Sequence, residues 1–147
     1  MKIKVAWIGK TKDSAIQSLT DEYLTRIARY ADVEGVALAN ESMLLSLRER
    51  RGTRPAHRLI LLDSAGKQMT SEEIASFVRH QTENQSQPIV FAIGPADGFS
   101  AGARRSAAAT LSLGKLTLPH ELARVVFLEQ LYRAFTILKG HPYHTGH

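Results

Sequence analysis

The run Pro88-Ile89-Val90-Phe91-Ala92-Ile93, closed at once by Gly94-Pro95-Ala96-Asp97-Gly98, decides the fold. Its apolar residues follow one another without a polar partner between them. A strand with no hydrophilic face is covered on both sides, which is the position of a strand inside a parallel sheet with helices above and below. The glycines that follow permit a tight turn and let the backbone come close to a ligand.

On either side the chain alternates strand and helix signals. Lys2 to Ile8 suits a strand, and Asp13 to Tyr30 places Ile16, Leu19, Tyr23, Leu24 and Ile27 at helical spacing. Val33 to Ala39 reads as a second strand, Glu41 to Arg51 as a helix, and Arg58 to Leu62 as a strand ending at Asp63. Thr70-Ser71-Glu72-Glu73 has the spacing of a capping box, so a helix is expected from about Ser71 to Gln81. Ser100 starts a short helix through Ala109, Thr110 to Leu113 forms a last strand, and a long helix runs from Pro119 until Gly140 stops it. The pattern predicts an α/β fold, one mostly parallel sheet flanked by helices, in a single domain over residues 1–147.

The last helix is apolar on nearly all sides. Leu122, Val126 and Ile137 point one way, and Leu128, Leu131, Phe135 and Leu138 nearly the opposite way. Such a helix needs cover on more than one face, from the rest of the domain or from a second subunit.

Composition narrows the chemistry. The chain has 147 residues and no cysteine, which excludes disulfides, thiolate nucleophiles and zinc-thiolate sites. Nothing approaches the roughly 20 consecutive apolar residues of a membrane span, and the start lacks the features of a secretory signal, so a cytoplasmic protein is expected. Nineteen lysines and arginines against fourteen acidic residues give a formal charge of +5, which favours encounter with polyanions without saying which.

Ligands of open parallel sheets bind beyond the carboxyl ends of the strands, which points to three loops. They are Asp63-Ser64-Ala65-Gly66-Lys67, Gly94 to Gly98, and Gly114-Lys115-Leu116-Thr117-Leu118-Pro119. The glycine spacing is neither the dinucleotide fingerprint nor a P-loop, and the chain has no nucleophile elbow and no His-Glu-x-x-His helix. Glu129 and Arg133, at i and i+4, put a charge pair on a helix stripe that ought to be covered, and a guanidinium there suits phosphate. His141, His144 and His147 stand three residues apart, but without a cysteine or carboxylate partner no metal is assigned to them. Tyr143, between two imidazoles, suits stacking on an unpaired RNA base.

Taken together, these residues resemble the RlmH family, SPOUT-class methyltransferases that act on a pseudouridine of 23S ribosomal RNA. The resemblance rests on Leu62-Asp63-x-x-Gly66-Lys67, Ile93-Gly94-x-x-x-Gly98, Leu113 to His120, Arg124-Val125, Glu129 to Ala134 and His141-Pro142-Tyr143-His144, with a weaker echo in Glu22-Tyr23-Leu24-x-Arg26. It implies a C-terminal trefoil knot, which periodicity alone would never suggest. It also implies a homodimer, and S-adenosyl-L-methionine held by Leu62, Gly94, Leu113, Gly114, Lys115, Leu116, Thr117 and Leu118. The implied reaction is methylation at N3 of the pseudouridine, on the assembled ribosome. Arg133 and His144 are nominated to handle the acceptor proton and Tyr143 to position the base, with no metal and no membrane involved. Two departures stand out: Pro95 replaces a usual glycine and removes a backbone donor, and Thr145-Gly146-His147 replaces a basic ending. The alternative expectation is a noncatalytic RNA-binding module of the same fold; a metal-dependent hydrolase using the histidine tail ranks behind both.

Overall fold

The computed structural model describes residues 2–84, 86–95 and 97–144, with the backbone alone at Asn84 and His144. The Thr145-Gly146-His147 ending lies outside the described residues. The elements alternate in chain order: β1 (Lys2–Ile8), α1 (Ser14–Ile27), β2 (Asp32–Leu38), α2 (Glu41–Ser46), β3 (Arg58–Gln68), α3 (Ser71–Asn84), β4 (Ile89–Ile93), α4 (Ala101–Ser106), β5 (Ala109–Ser112) and α5 (His120–Leu138). A single 3₁₀ turn, Pro142–His144, follows.

The five strands form one sheet in the order β2-β1-β4-β3-β5, and every pairing is parallel. β4, whose apolar run set the expectation, lies between β1 and β3 with all five residues buried. One face packs Ile60, Phe91 and Leu111 against Ile27 of α1, Val78 of α3 and Phe127, Leu128 and Leu131 of α5. The other packs Leu59, Leu61 and Val90 against Leu44 of α2 and Ala103 of α4.

Helix ends follow local chemistry. Asp13 caps α1 by accepting from the Ala15 N–H at 2.8 Å, and Glu121 of α5 accepts from the Lys12 N–H at 2.7 Å, joining both helix starts. The capping box forms in both directions, with Thr70 N donating to Glu73 Oε1 at 3.0 Å and Glu73 N to Thr70 Oγ1 at 3.1 Å.

Several boundaries differ from expectation, α1 ending at Ile27 and α3 running on to Asn84 among them, and three have a visible cause. α2 stops at Ser46 because Leu47 O accepts from His57 N and Arg51 pairs with Arg54 across a turn at Gly52, where φ is 57°. α4 stops at Ser106 because Ala108 N donates to Leu59 O at 2.8 Å, drawing the chain into the sheet early. β3 continues to Gln68 through a bulge: Leu62 and Lys67 both align with Leu111, and residues 63–66 loop out between them. Gly66 permits this, since a Cβ there would meet the Thr110 backbone at 2.6 Å.

A candidate cofactor pocket and a distant tyrosine cluster

The bulge of β3, the loop after β4 and the loop after β5 meet over a cavity of about 330 Å³ at the carboxyl edge of the sheet. That volume lies at the lower end of the range typical for small-molecule sites, roughly 300–1,000 Å³. Of the eight residues nominated for the cofactor, Leu62, Gly94, Leu113, Gly114, Leu116, Thr117 and Leu118 line the cavity. Lys115 is exposed and is not part of the lining. Leu116 is 83% exposed, an apolar side chain offered to whatever occupies or covers the cavity.

Backbone conformation shapes the walls. Gly94 is buried, and a Cβ at that position would meet the Phe99 ring at 2.8 Å. Gly98, at φ +82°, donates its N–H to Pro95 O at 2.9 Å, so Pro95 keeps a role through its carbonyl although it has no N–H. Gly114, at φ +127°, meets no neighbour where a side chain would stand. Ser112 Oγ fixes that corner by accepting from Gly114 N at 3.1 Å and donating to Gly114 O at 2.9 Å.

Asp63 joins two of the walls. Its carboxylate accepts from Ala65 N at 2.9 Å and Phe99 N at 3.2 Å, with Arg104 Nε 3.5 Å away, and its side chain is only 4% exposed. Burial by itself would raise its pKa; the two backbone N–H bonds and the guanidinium outweigh it and hold the carboxyl below its ordinary value. Sequence reasoning placed Asp63 in a loop of interest but gave it no role. It also missed Arg104, whose Nη2 donates to Phe99 O at 2.8 Å, and His120 and Ala123 at the start of α5, all of which line the cavity. The only signal for these was their position just after strand-end loops.

The residues nominated for catalysis gather elsewhere. Arg133 Nη2 donates to Glu129 Oε2 at 2.7 Å, and the two side chains are 15% and 19% exposed. Tyr143 donates its hydroxyl to the same Glu129 oxygen at 2.9 Å, sits edge-on to Tyr132 at 4.7 Å, and has the Arg133 guanidinium 5.1 Å from its ring. Burial, then the hydrogen bond to Glu129 and that carboxylate's charge, push the Tyr143 hydroxyl well above its ordinary pKa. Arg133's own hydrogen bond to Glu129 raises its pKa in turn. Tyr23 and Tyr30 also pack on Tyr132, and Tyr30 bonds to His141 Nδ1 at 2.6 Å, so all four tyrosines of the chain form one cluster. The side chain of His144 lies outside the described residues.

One chain does not bring the two groups together. His120 touches the cavity, and Arg133 lies thirteen residues further along α5, about 20 Å along the helix axis. Among the described residues no cluster of His, Asp or Glu could hold a metal ion, and no helix is long and apolar enough to cross a membrane.

A family model described as a predicted SPOUT methyltransferase matches residues 1–144. A protein of Koribacter versatilis named ribosomal RNA large subunit methyltransferase H is 56% identical over the full length of both chains. One of the same name from Geobacter sp. strain M21 is 42% identical, covering 98% of this chain and 99% of its own. Among solved structures, a probable methylase family protein from Haemophilus influenzae superposes with a TM-score of 0.60 at 11% identity, covering 96% of this chain and 69% of that one. The methyltransferase AviRb from Streptomyces viridochromogenes, solved with its cofactor AdoMet, gives 0.52 at 15% identity, covering 94% and 58%. At these identities the two structures speak for the fold.

Proposed function

The chain belongs to the SPOUT methyltransferase family, and from that premise we propose that it methylates large-subunit ribosomal RNA with S-adenosyl-L-methionine, as a homodimer in the cytoplasm. The observation that carries this reading is the convergence of three loops, far apart in sequence, on one cavity lined by seven of the eight residues nominated for the cofactor. The lining suits an adenosine: leucine side chains for the flat ring, and a backbone open at Gly114 where polar edges need partners.

When bound, S-adenosyl-L-methionine supplies a methyl group already activated by its sulfonium, which leaves orientation as the main task of the protein. Leu62, Leu113, Leu116 and Leu118 hold the ring, Gly94 and Gly114 present main-chain groups, Thr117 offers a hydroxyl, and Lys115 contributes through its backbone at the rim. Asp63 keeps the first two loops in register. The proposed acceptor is N3 of a pseudouridine in 23S RNA on the assembled ribosome. That nitrogen carries a proton at neutral pH, so a cation nearby assists its loss. Arg133 is that cation, and His144 is assigned to receive the proton. Tyr143, whose hydroxyl is held by Glu129, positions the base through its ring surface.

With Arg133 assigned to the chemistry, its separation of about 20 Å from the cavity along α5 favours a second copy. Leu122 on α5 and Leu19 on α1 are each 42% exposed, and Val126 lies one turn beyond Leu122, on the stripe that continues to Glu129 and Arg133. Two α5 helices crossing antiparallel on this stripe bury the leucines and set the tyrosine cluster of one chain beside the cavity of the other. The trefoil knot belongs to the same proposal, with residues 113–119 and α5 as the threaded segment.

The reading is tested by incubating the protein with tritiated S-adenosyl-L-methionine and either ribosomes or free 23S RNA from a strain lacking the modification. Label in 23S RNA of the ribosome is expected; no label in either substrate refutes the reading.

A further inference from the structure

Residues 48–58 read Arg48-Glu49-Arg50-Arg51-Gly52-Thr53-Arg54-Pro55-Ala56-His57-Arg58. Five arginines stand against one glutamate, so this segment holds +4 of the formal +5 of the chain, and the remainder is within one charge of neutral. A basic excess spread over a surface implies little, whereas one concentrated in eleven residues marks a place.

The segment is built to keep its arginines in position. Arg51 and Arg54 exchange backbone hydrogen bonds at 3.1 and 2.9 Å around Gly52, and Arg54 Nη2 donates to the carbonyls of Ser46 at 3.0 Å and Glu49 at 3.1 Å. His57 is buried with Lys4 Nζ 3.4 Å from its Nε2; burial, and then that lysine, lower its pKa, so it remains neutral beneath the arginines. Arg54 therefore serves as a brace, while Arg48, Arg50 and Arg51 stand exposed. Arg51 has a water-exposed contact with Glu49 at 3.5 Å, the kind of pair that contributes little. Arg48 and Arg50 make no ion pair among the described residues. Two guanidinium groups without an ion-pair partner and a third with only an exposed one, carried on an ordered turn, suit the spaced oxygens of a phosphate backbone.

The location separates this surface from the methyl-transfer site. Arg58 opens β3 at the amino edge of the sheet, and Leu62, four residues later and about 13 Å along the strand, reaches the cavity at the opposite edge. We propose that Arg48, Arg50 and Arg51 form a second RNA contact, which grips the phosphate backbone at a distance from the base being modified. The proposal rests on the RNA-methyltransferase reading and adds a surface to it. Contact with phosphates sets affinity and placement, not the choice of nucleotide.

The test compares Arg48→Gln/Arg50→Gln/Arg51→Gln with a control that loses the same charge elsewhere, Arg29→Gln/Arg79→Gln/Lys139→Gln. RNA affinity is measured by fluorescence anisotropy on a labelled 23S fragment over a series of salt concentrations, with methyl transfer followed in parallel. The first variant is expected to bind RNA roughly tenfold more weakly at low salt and to lose about two units of log–log salt slope, by the rule of roughly 0.7 unit per phosphate contact on a single strand. The control should change far less, and kcat should be kept by both. Equal affinity and slope in the two triple variants overturns the proposal. Methyl transfer by the wild type with unchanged RNA binding in the first variant overturns it too, while leaving the enzyme reading intact. Loss of RNA binding in that variant, in a protein that transfers no methyl group, supports the surface and overturns the enzyme reading instead.

Discussion

The carboxylate of Asp63, in the bulge of β3, accepts the backbone N–H of Phe99 at 3.2 Å, joining two walls of the cavity across thirty-six positions of sequence. With Ala65 N and Arg104 as its other partners, this one side chain sets the distance between the first and second loops.

Asp63→Ala should therefore loosen the cavity. Losing two charge-assisted hydrogen bonds and exposing buried N–H groups costs about 1–3 kcal/mol. Calorimetry should show at least tenfold weaker binding of S-adenosyl-L-methionine, with circular dichroism unchanged; full affinity would show that the loops hold their positions without Asp63.

The depressed pKa of Asp63 carries a sign. A carboxyl whose folded pKa lies below its unfolded value stabilises the fold fully above the unfolded value and loses that contribution as pH falls through the folded one. Thermal unfolding followed from about pH 6 down to about pH 3 should show a fall in Tm that is shallower in Asp63→Asn than in the wild type, because the variant has no carboxylate to protonate. Parallel curves would contradict this.

Gly66→Ala and Gly94→Ala should fail in different ways. The first drives a Cβ to within 2.6 Å of the Thr110 backbone, which cannot yield without parting β3 from β5. The second meets the Phe99 ring at 2.8 Å, a buried side chain that can tilt at an overpacking cost of about 1–3 kcal/mol. Gly66→Ala is expected not to fold stably, and Gly94→Ala to fold with a lowered Tm and weakened cofactor binding. Denaturant melts of both variants check the order, and equal stability would refute it.

Arg133→Ala should lower kcat for methyl transfer by about 10²-fold or more while cofactor affinity stays within about twofold, as befits a group that acts on the transition state rather than on the bound cofactor. Equal loss of both would make Arg133 a structural partner of Glu129 and nothing more. Tyr143→Phe, which keeps the ring and deletes only its donation to Glu129, should cost less.

Leu19→Asp/Leu122→Asp should yield a monomer in sedimentation with the cavity intact but methyl transfer abolished. A variant that remains dimeric would move the interface elsewhere.

Much of this architecture was legible because period and position speak plainly in a parallel sheet. The unbroken run Ile89–Ile93 put β4 at the centre, and glycines after Leu62, Ile93 and Leu113 marked the loops that converge. Elements were misjudged where tertiary hydrogen bonds overrode local pattern. α2 is cut short by the turn at Gly52, and β3 runs on through a bulge whose residues Asp63 to Gly66 look like an ordinary turn in sequence. Side chains whose role lies in a distant partner were hidden. Arg124 is one: it is fully buried with its guanidinium 4.0 Å from the Trp7 ring and Nη1 donating to Thr11 Oγ1 at 2.7 Å, although its position on a helix suggests nothing of the kind. The separation of Arg133 from the cavity was likewise invisible until α5 had a direction.

The central claim is that the three loops form one cofactor site, and hydrogen exchange of the protein with and without S-adenosyl-L-methionine tests it most directly. The account predicts slowed exchange in residues 62–66, 94–99 and 112–118 together, with residues 48–58 unaffected. Protection confined to one of these loops, or found only away from all three, would contradict it.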